Sequence, residues 1–132
     1  MMAYKENKSS ISIDASLEKV WHAITDAELL TKWYAPGSIW EIPHLAAGEQ
    51  IIFTLIPNSH NQLTEKLPMT LTIKNVTMHQ QFSFYLDLPE TLIAISLVDD
   101  KGKTTVTFNT SGYEASLANL KALLEGKEIP FV

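Results

Sequence analysis

Four histidines are the residues of this chain best suited to metal or acid–base chemistry, and they are scattered along it. His22, His44, His60 and His79 form none of the H-x-x-x-H or H-E-x-x-H pairs that hold zinc on one helix face. His44 alone is of interest, because it follows Trp40 closely and could lie beside a pocket. A surface or structural histidine is the more common alternative. The sequence therefore predicts neither a metal site nor a cofactor.

Paired carboxylates and nucleophile motifs are the other common sources of catalysis. Glu41 and Glu49 could form a carboxylate pair across neighbouring strands, although exposed carboxylates on an edge hairpin are the more common explanation. The chain contains no cysteine, and it has no phosphate-binding, dinucleotide-binding or serine-nucleophile motif. We find no catalytic constellation, so the sequence does not favour an enzyme.

Aromatic and long apolar side chains remain as candidates for binding. Several of them follow one another where a helical segment gives way to strands. Aromatic residues at such a junction commonly fill the core, but Tyr and Trp also suit apolar ligands that have one polar end. We predict a pocket between the last helix and the sheet, with its mouth near Trp33, Tyr34, Trp40 and His44. The predicted pocket lining consists of Trp33, Tyr34, Trp40, His44, Phe53, Leu55, Met69, Leu71, Phe84, Tyr113 and Leu117.

The final helical segment is the element that must position these side chains. Apolar residues recur at helical spacing between positions 113 and 124, and Gly126 can supply the left-handed residue that ends a helix. Ser111 and Glu114 have the S-x-x-E spacing of a capping box, so we predict that they close the first turn. One face of this helix is apolar, and the strands that precede it are expected to cover that face.

One strand and two short helices open the chain, and six further strands follow. Ser16 and Asp26 are predicted to cap the two helices, the second of which ends before Pro36. A tight hairpin with Gly102 in the left-handed conformation is expected at 99–102. Alternating apolar and polar residues predict strands at Ser9–Ile13, 38–42, 51–56, 69–76, 81–88, 92–98 and 104–109.

This order of elements defines an α+β domain with an antiparallel sheet, because hairpin-length connections cannot join parallel neighbours. Curving about seven strands around the last helix would bury the apolar face of both. With 132 residues and 45% hydrophobic composition, the chain is long enough for one domain and short for two. We predict a single domain over residues 1–132, with 1–8 as a flexible lead-in and 58–66 as a polar loop.

Charge and composition exclude several classes of partner. The formal net charge is −5 and no basic stripe is present, so a nucleic-acid partner is not expected. No segment approaches the ~20 apolar residues of a membrane span, and the first ten residues lack the apolar core of a signal peptide. The absence of cysteine suits a reducing compartment. We therefore expect a cytoplasmic protein that does not associate with membranes.

Two stretches of sequence resemble a known family. Residues 13–26 (IDASLEKVWHAITD) and 29–36 (LLTKWYAP) resemble the opening of START-like helix-grip (SRPBCC) proteins, in the branch of the activator of the heat-shock protein 90 ATPase. Residues 106–108 with 117–124 resemble that family's last strand and C-terminal helix, and Gly48 resembles the glycine that opens its third strand. The resemblance implies the helix-grip (START/Bet v-like) fold, and none of its motifs is catalytic.

Three functions follow from this resemblance and from the apolar lining. The first is a small hydrophobic-ligand-binding domain, acting as a carrier or sensor, which we favour. The second is a chaperone-associated or other protein-interaction module, which the chain supports weakly because only about eight polar residues precede its first strand. The third is a cyclase- or hydrolase-type helix-grip enzyme, which would require polar groups inside the cavity. Self-association as a homodimer is left open.

Overall fold

The computed structural model describes residues 8–57, 63–86 and 91–131. The predicted lead-in, much of the predicted polar loop with His60, and the end of the strand predicted at 81–88 lie outside these ranges. The strands are β1 (Ser9–Ile13), β2 (Ile39–Glu41), β3 (Gln50–Leu55), β4 (Leu67–Thr77), β5 (Gln81–Tyr85), β6 (Leu92–Asp100) and β7 (Lys103–Phe108). The helices are α1 (Leu17–Thr25), α2 (Ala27–Trp33) and α3 (Glu114–Leu124).

All seven strands form one antiparallel sheet in the order β1-β7-β6-β5-β4-β3-β2. Strands β2 to β7 pair with their neighbours in sequence, whereas β1 crosses to pair with β7. The two short helices lie between β1 and β2 in the chain, and α3 follows the last strand. The predicted α+β architecture, with a curved sheet and a C-terminal helix, is confirmed.

Local capping signals in the sequence correctly locate the two short helices. The Ser16 hydroxyl accepts a hydrogen bond from the Lys19 N–H at 3.2 Å at the start of α1. The Asp26 carboxylate accepts one from the Leu29 N–H at 3.0 Å at the start of α2. These side chains satisfy backbone donors that a first helical turn leaves unpaired. The predicted caps of both helices are therefore confirmed.

Two predicted glycine positions are also confirmed. Gly102 has φ of 89° in the β6–β7 hairpin, and Lys101 before it is also left-handed, with φ of 56°. Gly126 has φ of 75° after α3, where the Lys127 N–H donates to the Ala122 carbonyl at 2.7 Å. This bond across six residues is the longer bond of the Schellman motif, which needs a left-handed residue at Gly126.

The predicted capping box of α3 is wrong. Helix α3 has no side-chain cap from Ser111, which is exposed, and Glu114 instead accepts the Gly112 N–H. Ser9 of β1, which is buried, takes over part of this role: its hydroxyl accepts the Tyr113 N–H at 3.2 Å. The same hydroxyl donates to the Thr110 carbonyl at 2.9 Å. The start of α3 is thus held by a strand far away in sequence.

The core lies between the concave face of the sheet and the three helices. Leu117 and Leu120 of α3 are fully buried, as the apolar stripe predicts, and α3 contacts β1, α2 and α1. Asn119 is also buried, although helical periodicity assigns it to the polar side. The largest fully buried side chains are Trp33, Phe82, Phe84, Phe108, Ile13, Ile24, Leu30, Ile51, Leu71, Ile73, Ile95 and Leu117.

Candidate functional site

An aromatic cluster joins the end of α2, the β2–β3 pair, strand β7 and the start of α3. Trp40 and Phe53 are directly paired across β2 and β3, and their ring centroids lie 4.7 Å apart. Tyr34 packs edge-on against both rings, at 5.0 Å from Trp40 and 5.8 Å from Phe53. Tyr113 stacks on Phe108 at 4.1 Å. We call Trp33, Tyr34, Trp40, Phe53, Phe108 and Tyr113 the aromatic cluster.

Two tyrosine hydroxyls meet within this cluster. The oxygens of Tyr34 and Tyr113 are 2.6 Å apart, and either hydroxyl can donate to the other. Burial raises the pKa of the Tyr34 hydroxyl well above its ordinary value, and the adjacent Tyr113 raises it further. Burial also raises the pKa of Tyr113, although the hydrogen bond from Tyr34 partly opposes this effect. Both side chains are therefore neutral hydrogen-bond donors at physiological pH.

Side chains of α3 fix the end of α2 that carries Trp33 and Tyr34. The Ser116 hydroxyl donates to the Tyr34 carbonyl at 2.8 Å, and the Asn119 amide donates to the Trp33 carbonyl at 3.3 Å. These carbonyls lie at the C-terminal end of α2, where a helix leaves its last acceptors unpaired. The Trp33 indole N–H donates to the Ala23 carbonyl at 2.9 Å, which ties α2 to α1.

Trp40 differs from Trp33 in the pairing of its indole N–H. The side chain is buried, with 4% of its surface exposed, and its indole N–H finds no acceptor among residues 8–57, 63–86 and 91–131. A buried donor without a partner costs about 1–3 kcal/mol relative to a paired one. Such groups are uncommon in native proteins, and each one requires an explanation.

The inner face of β4 becomes progressively more exposed towards the first residue of the strand, beside the aromatic cluster. On β4, Ile73 and Leu71 are each 1% exposed, Met69 is partly exposed, and Leu67 is 44% exposed. These alternate residues share one face of the strand. Leu67 pairs with Leu55 and Met69 pairs with Phe53, so the exposed end adjoins the Trp40–Phe53 pair. We call Leu55, Leu67 and Met69 the open end.

The structure brings together most of the residues predicted to line a pocket. The aromatic members contact one another, and Phe84 contacts Trp40 at 5.9 Å. Leu71, Phe84 and Leu117 are fully buried. His44 is not brought to the cluster: it is exposed in the β2–β3 connection, which leads to the end of β3 opposite Leu55.

Phe108 and Leu67 are members of this region that sequence reasoning missed. Phe108 shares the inner face of β7 with Thr104 and Val106, so the alternation along that strand was a usable signal. Leu67 lies outside the predicted strand 69–76, which in fact begins at Leu67. Asn119 was missed as well. Its partners, Trp33 and Phe131, lie outside α3, so no local signal distinguishes it from an exposed helical asparagine.

The arrangement suits binding through apolar contacts and a few hydrogen bonds. Within the described ranges, no three His, Asp or Glu side chains lie close enough to hold a metal ion. Among the helices of residues 8–57, 63–86 and 91–131, none has the length and apolar character needed to cross a bilayer. The aromatic cluster supplies neutral donors, and the open end supplies apolar area.

The curved antiparallel sheet and its C-terminal helix define a helix-grip domain. The sequence profile of the family described as Activator of Hsp90 ATPase homolog 1-like protein matches residues 14–127, and the chain belongs to this family. No curated protein sequence matches the chain.

Solved structures similar to this one share its fold at low sequence identity. The Aha1 dimer from Colwellia psychrerythraea is 19% identical, with a TM-score of 0.67 over 90% of this chain and 95% of that one. An AHSA1-like protein from Aeromonas hydrophila is 21% identical, with a TM-score of 0.65 over 90% of this chain and 92% of that one. A Bordetella parapertussis protein is 14% identical, with a TM-score of 0.74 over 98% of this chain and 79% of that one.

Proposed function

We propose that this protein binds a small, largely apolar molecule at the open end, next to the aromatic cluster, and acts as a carrier or sensor. The observation that carries the proposal is the change in burial along one face of β4, from 1% exposed at Leu71 to 44% exposed at Leu67. Leu67 adjoins the partly exposed Met69 and Leu55, and a contiguous apolar surface of this kind suits an apolar ligand.

The contacts within the cluster suggest how such a molecule would enter. The rings of Tyr34, Trp40 and Phe53 touch one another, so the cluster leaves little room in its present arrangement. The ligand's apolar body lies on Leu55, Leu67 and Met69, and only its end reaches the aromatic rings. This places the mouth at the end of the β3–β4 pair, away from His44.

Binding is favoured over the two alternative functions. An enzyme would need a nucleophile or a group able to exchange protons near neutral pH, and the tyrosine hydroxyls of the cluster remain protonated there. A protein-interaction module remains the second candidate, because the family name links it to a chaperone. The inner position of Leu67 on a concave face suits a small molecule better than a flat protein surface.

The experiment is a titration of apolar aromatic probes, followed by tryptophan fluorescence, with two matched variants. Leu67→Asp places a charge at the open end and is expected to weaken binding at least tenfold. Val98→Asp makes the same change on β6 at a side chain that is 61% exposed, and it is expected to leave binding unchanged. Both variants should remain folded, because neither side chain is buried.

Two outcomes would reject the proposal. Saturable binding that is equally weakened by both variants would show that the probes bind elsewhere. The absence of any saturable signal across a broad apolar library would leave the interaction module as the better hypothesis. Native mass spectrometry of the protein purified from its own host adds an independent measurement, since a retained small molecule appears as a mass increment.

The proposal also includes homodimer formation and a cytoplasmic location. The relative from Colwellia psychrerythraea is a dimer, which supports homodimer formation as a hypothesis for this chain. The same native mass spectrum reports the subunit count and therefore tests it. The absence of cysteine agrees with a reducing compartment, so we keep the cytoplasm as the proposed location.

A further inference from the structure

The unpaired indole N–H of Trp40 indicates which kind of polar group the site accepts. Trp40 is 4% exposed and its N–H lacks an acceptor in the part of the chain that the structure describes, whereas the N–H of the buried Trp33 donates to the Ala23 carbonyl at 2.9 Å. A phenylalanine at position 40 would keep the ring contacts with Tyr34 and Phe53 without leaving a donor unpaired. The unpaired N–H therefore lowers the stability of the fold, and an acceptor bound beside it would offset this cost.

The tyrosine pair beside Trp40 adds a second spare donor. Its two hydroxyls have two protons, and only one of them can lie between the oxygens that are 2.6 Å apart. No other hydrogen bond of either hydroxyl occurs among the described residues. Tyr34 contacts the Trp40 ring, with centroids 5.0 Å apart, so both spare donors belong to one region. The region therefore has more donors than acceptors that can receive them.

The spare donors of this region, the Trp40 indole N–H and one tyrosine hydroxyl, are uncharged. All ten basic residues of the chain are lysines. Within the described part of the chain, no lysine hydrogen-bonds to the two hydroxyls, and Lys121 and Lys127 pair with Glu125 instead. Burying a carboxylate without a cation is far more costly than burying a carbonyl group, which needs only one or two neutral donors. The donors therefore match an uncharged oxygen acceptor.

We propose that the ligand carries an uncharged carbonyl oxygen, as in a ketone, lactone or amide, and that this oxygen accepts the Trp40 indole N–H. This inference rests on the proposed ligand-binding function and names its chemical class. The apolar part of the molecule lies on Leu67 and Met69, and the route to Trp40 runs past Phe53, which pairs with both Met69 and Trp40. A fatty-acid anion is not the preferred ligand.

The test compares three naphthalenes of similar shape: 2-acetylnaphthalene, 2-naphthoate and 2-ethylnaphthalene. Binding is measured by calorimetry, and the indole N–H resonances are followed by two-dimensional ¹H–¹⁵N NMR. We expect the acetyl compound to bind most tightly and to shift the Trp40 resonance downfield. The Trp33 resonance serves as the internal control, because its N–H is already paired. Loss of one peak in Trp40→Phe assigns the resonance.

Variants then separate the carbonyl contact from general apolar binding. Trp40→Phe is expected to weaken the binding of 2-acetylnaphthalene about tenfold, which corresponds to the loss of one hydrogen bond. The affinity for 2-ethylnaphthalene should not change. If Trp40→Phe does not fold, the test rests on the downfield shift of the Trp40 indole resonance in the unmodified protein, which needs no variant.

The possible failures are distinguishable. Equal binding of the acetyl and ethyl compounds without a Trp40 shift would overturn the carbonyl inference and leave ligand binding intact. Tighter binding of 2-naphthoate would overturn it in favour of an anion site. If none of the three compounds binds saturably, the proposed function itself fails.

Discussion

The two ends of helix α3 differ in how completely the polar groups around them are paired. At the C-terminal end, Lys121 donates to the Ser12 carbonyl at 2.9 Å and to Glu125 at 2.6 Å. Glu125 also accepts the Asp14 N–H at 3.0 Å. At the N-terminal end, the helix adjoins the aromatic cluster, in which the Trp40 N–H has no acceptor among the described residues. Both ends of the helix are hydrogen-bonded to β1, but only the N-terminal end lies beside a buried side-chain donor without a partner among the described residues.

This difference suggests that different parts of the molecule determine its stability and its binding. Substitutions where α3 meets β1 and the buried core should change the free energy of unfolding and leave binding unaffected. Substitutions at the open end should change binding and leave stability nearly constant. Natural proteins commonly leave imperfectly satisfied groups at functional sites and compensate for them elsewhere in the fold. The predictions below test this division, from the largest expected effect to the smallest.

Leu120→Asp is expected to unfold the domain. Leu120 is fully buried in the middle of α3, and an unpaired carboxylate there would cost several kcal/mol, comparable with the stability of a small domain. Circular dichroism should show no cooperative thermal transition. The control is Ala115→Asp, which makes a similar charge change on the exposed side of the same helix. A soluble, cooperatively melting Leu120→Asp variant would mean that the sheet does not enclose the helix.

Leu71→Ala and Leu67→Ala compare a covered and an uncovered position on the same face of β4. Leu71 is 1% exposed, so truncation should lower the free energy of unfolding by about 2–5 kcal/mol. Leu67 is 44% exposed, and the same substitution should cost less than about 1 kcal/mol. Urea denaturation measures both values. Similar losses at the two positions would show that the open end is part of the core in solution, which would remove the main support for the proposed site.

Local signals predicted much of this fold, and long-range contacts explain what they missed. Ser16, Asp26 and Gly126 act on backbone groups within five residues of themselves, so their roles can be inferred from spacing. The start of α3 could not be predicted in this way, because Ser9 caps it from a strand more than 100 residues away. The unpaired Trp40 N–H is likewise invisible in the sequence, since a missing acceptor depends on every neighbour in space.

Asn119→Ala tests the buried amide that sequence periodicity misplaced. Its Oδ1 accepts the Phe131 N–H at 2.9 Å, and its Nδ2 lies 3.0 Å from the Phe131 carbonyl and 3.3 Å from the Trp33 carbonyl. Removing the Asn119 amide should lower the free energy of unfolding by about 1–3 kcal/mol, because the Trp33 carbonyl is left unpaired. Hydrogen exchange should also show faster exchange of the Phe131 amide. Ser116→Ala, which removes one hydrogen bond to the Tyr34 carbonyl, is the control and should leave the exchange rate of the Phe131 amide unchanged.

Glu125→Gln is expected to have the smallest effect, and that effect should depend on pH. The carboxylate lies between the Lys121 ammonium and the Asp14 N–H and accepts a hydrogen bond from each. The hydrogen bond from Lys121, followed by that from the Asp14 backbone, lowers the pKa of Glu125 from 4.5 to about 2. The folded protein therefore holds the charged form, whose stabilising contribution is complete above pH 4.5 and is lost as the pH falls towards 2.

The sign of this linkage gives a measurement that separates charge from packing. The free energy of unfolding of the unmodified protein should fall between pH 4.5 and pH 2 more steeply than that of Glu125→Gln, so the two curves converge in acid. Glu128→Gln is the matched control, because Glu128 is exposed and forms no ion pair among the described residues. Its curve should follow that of the unmodified protein. Parallel curves for all three proteins would mean that Glu125 does not fasten α3 to β1, and the contrast between the two ends of the helix would then rest on the aromatic cluster alone.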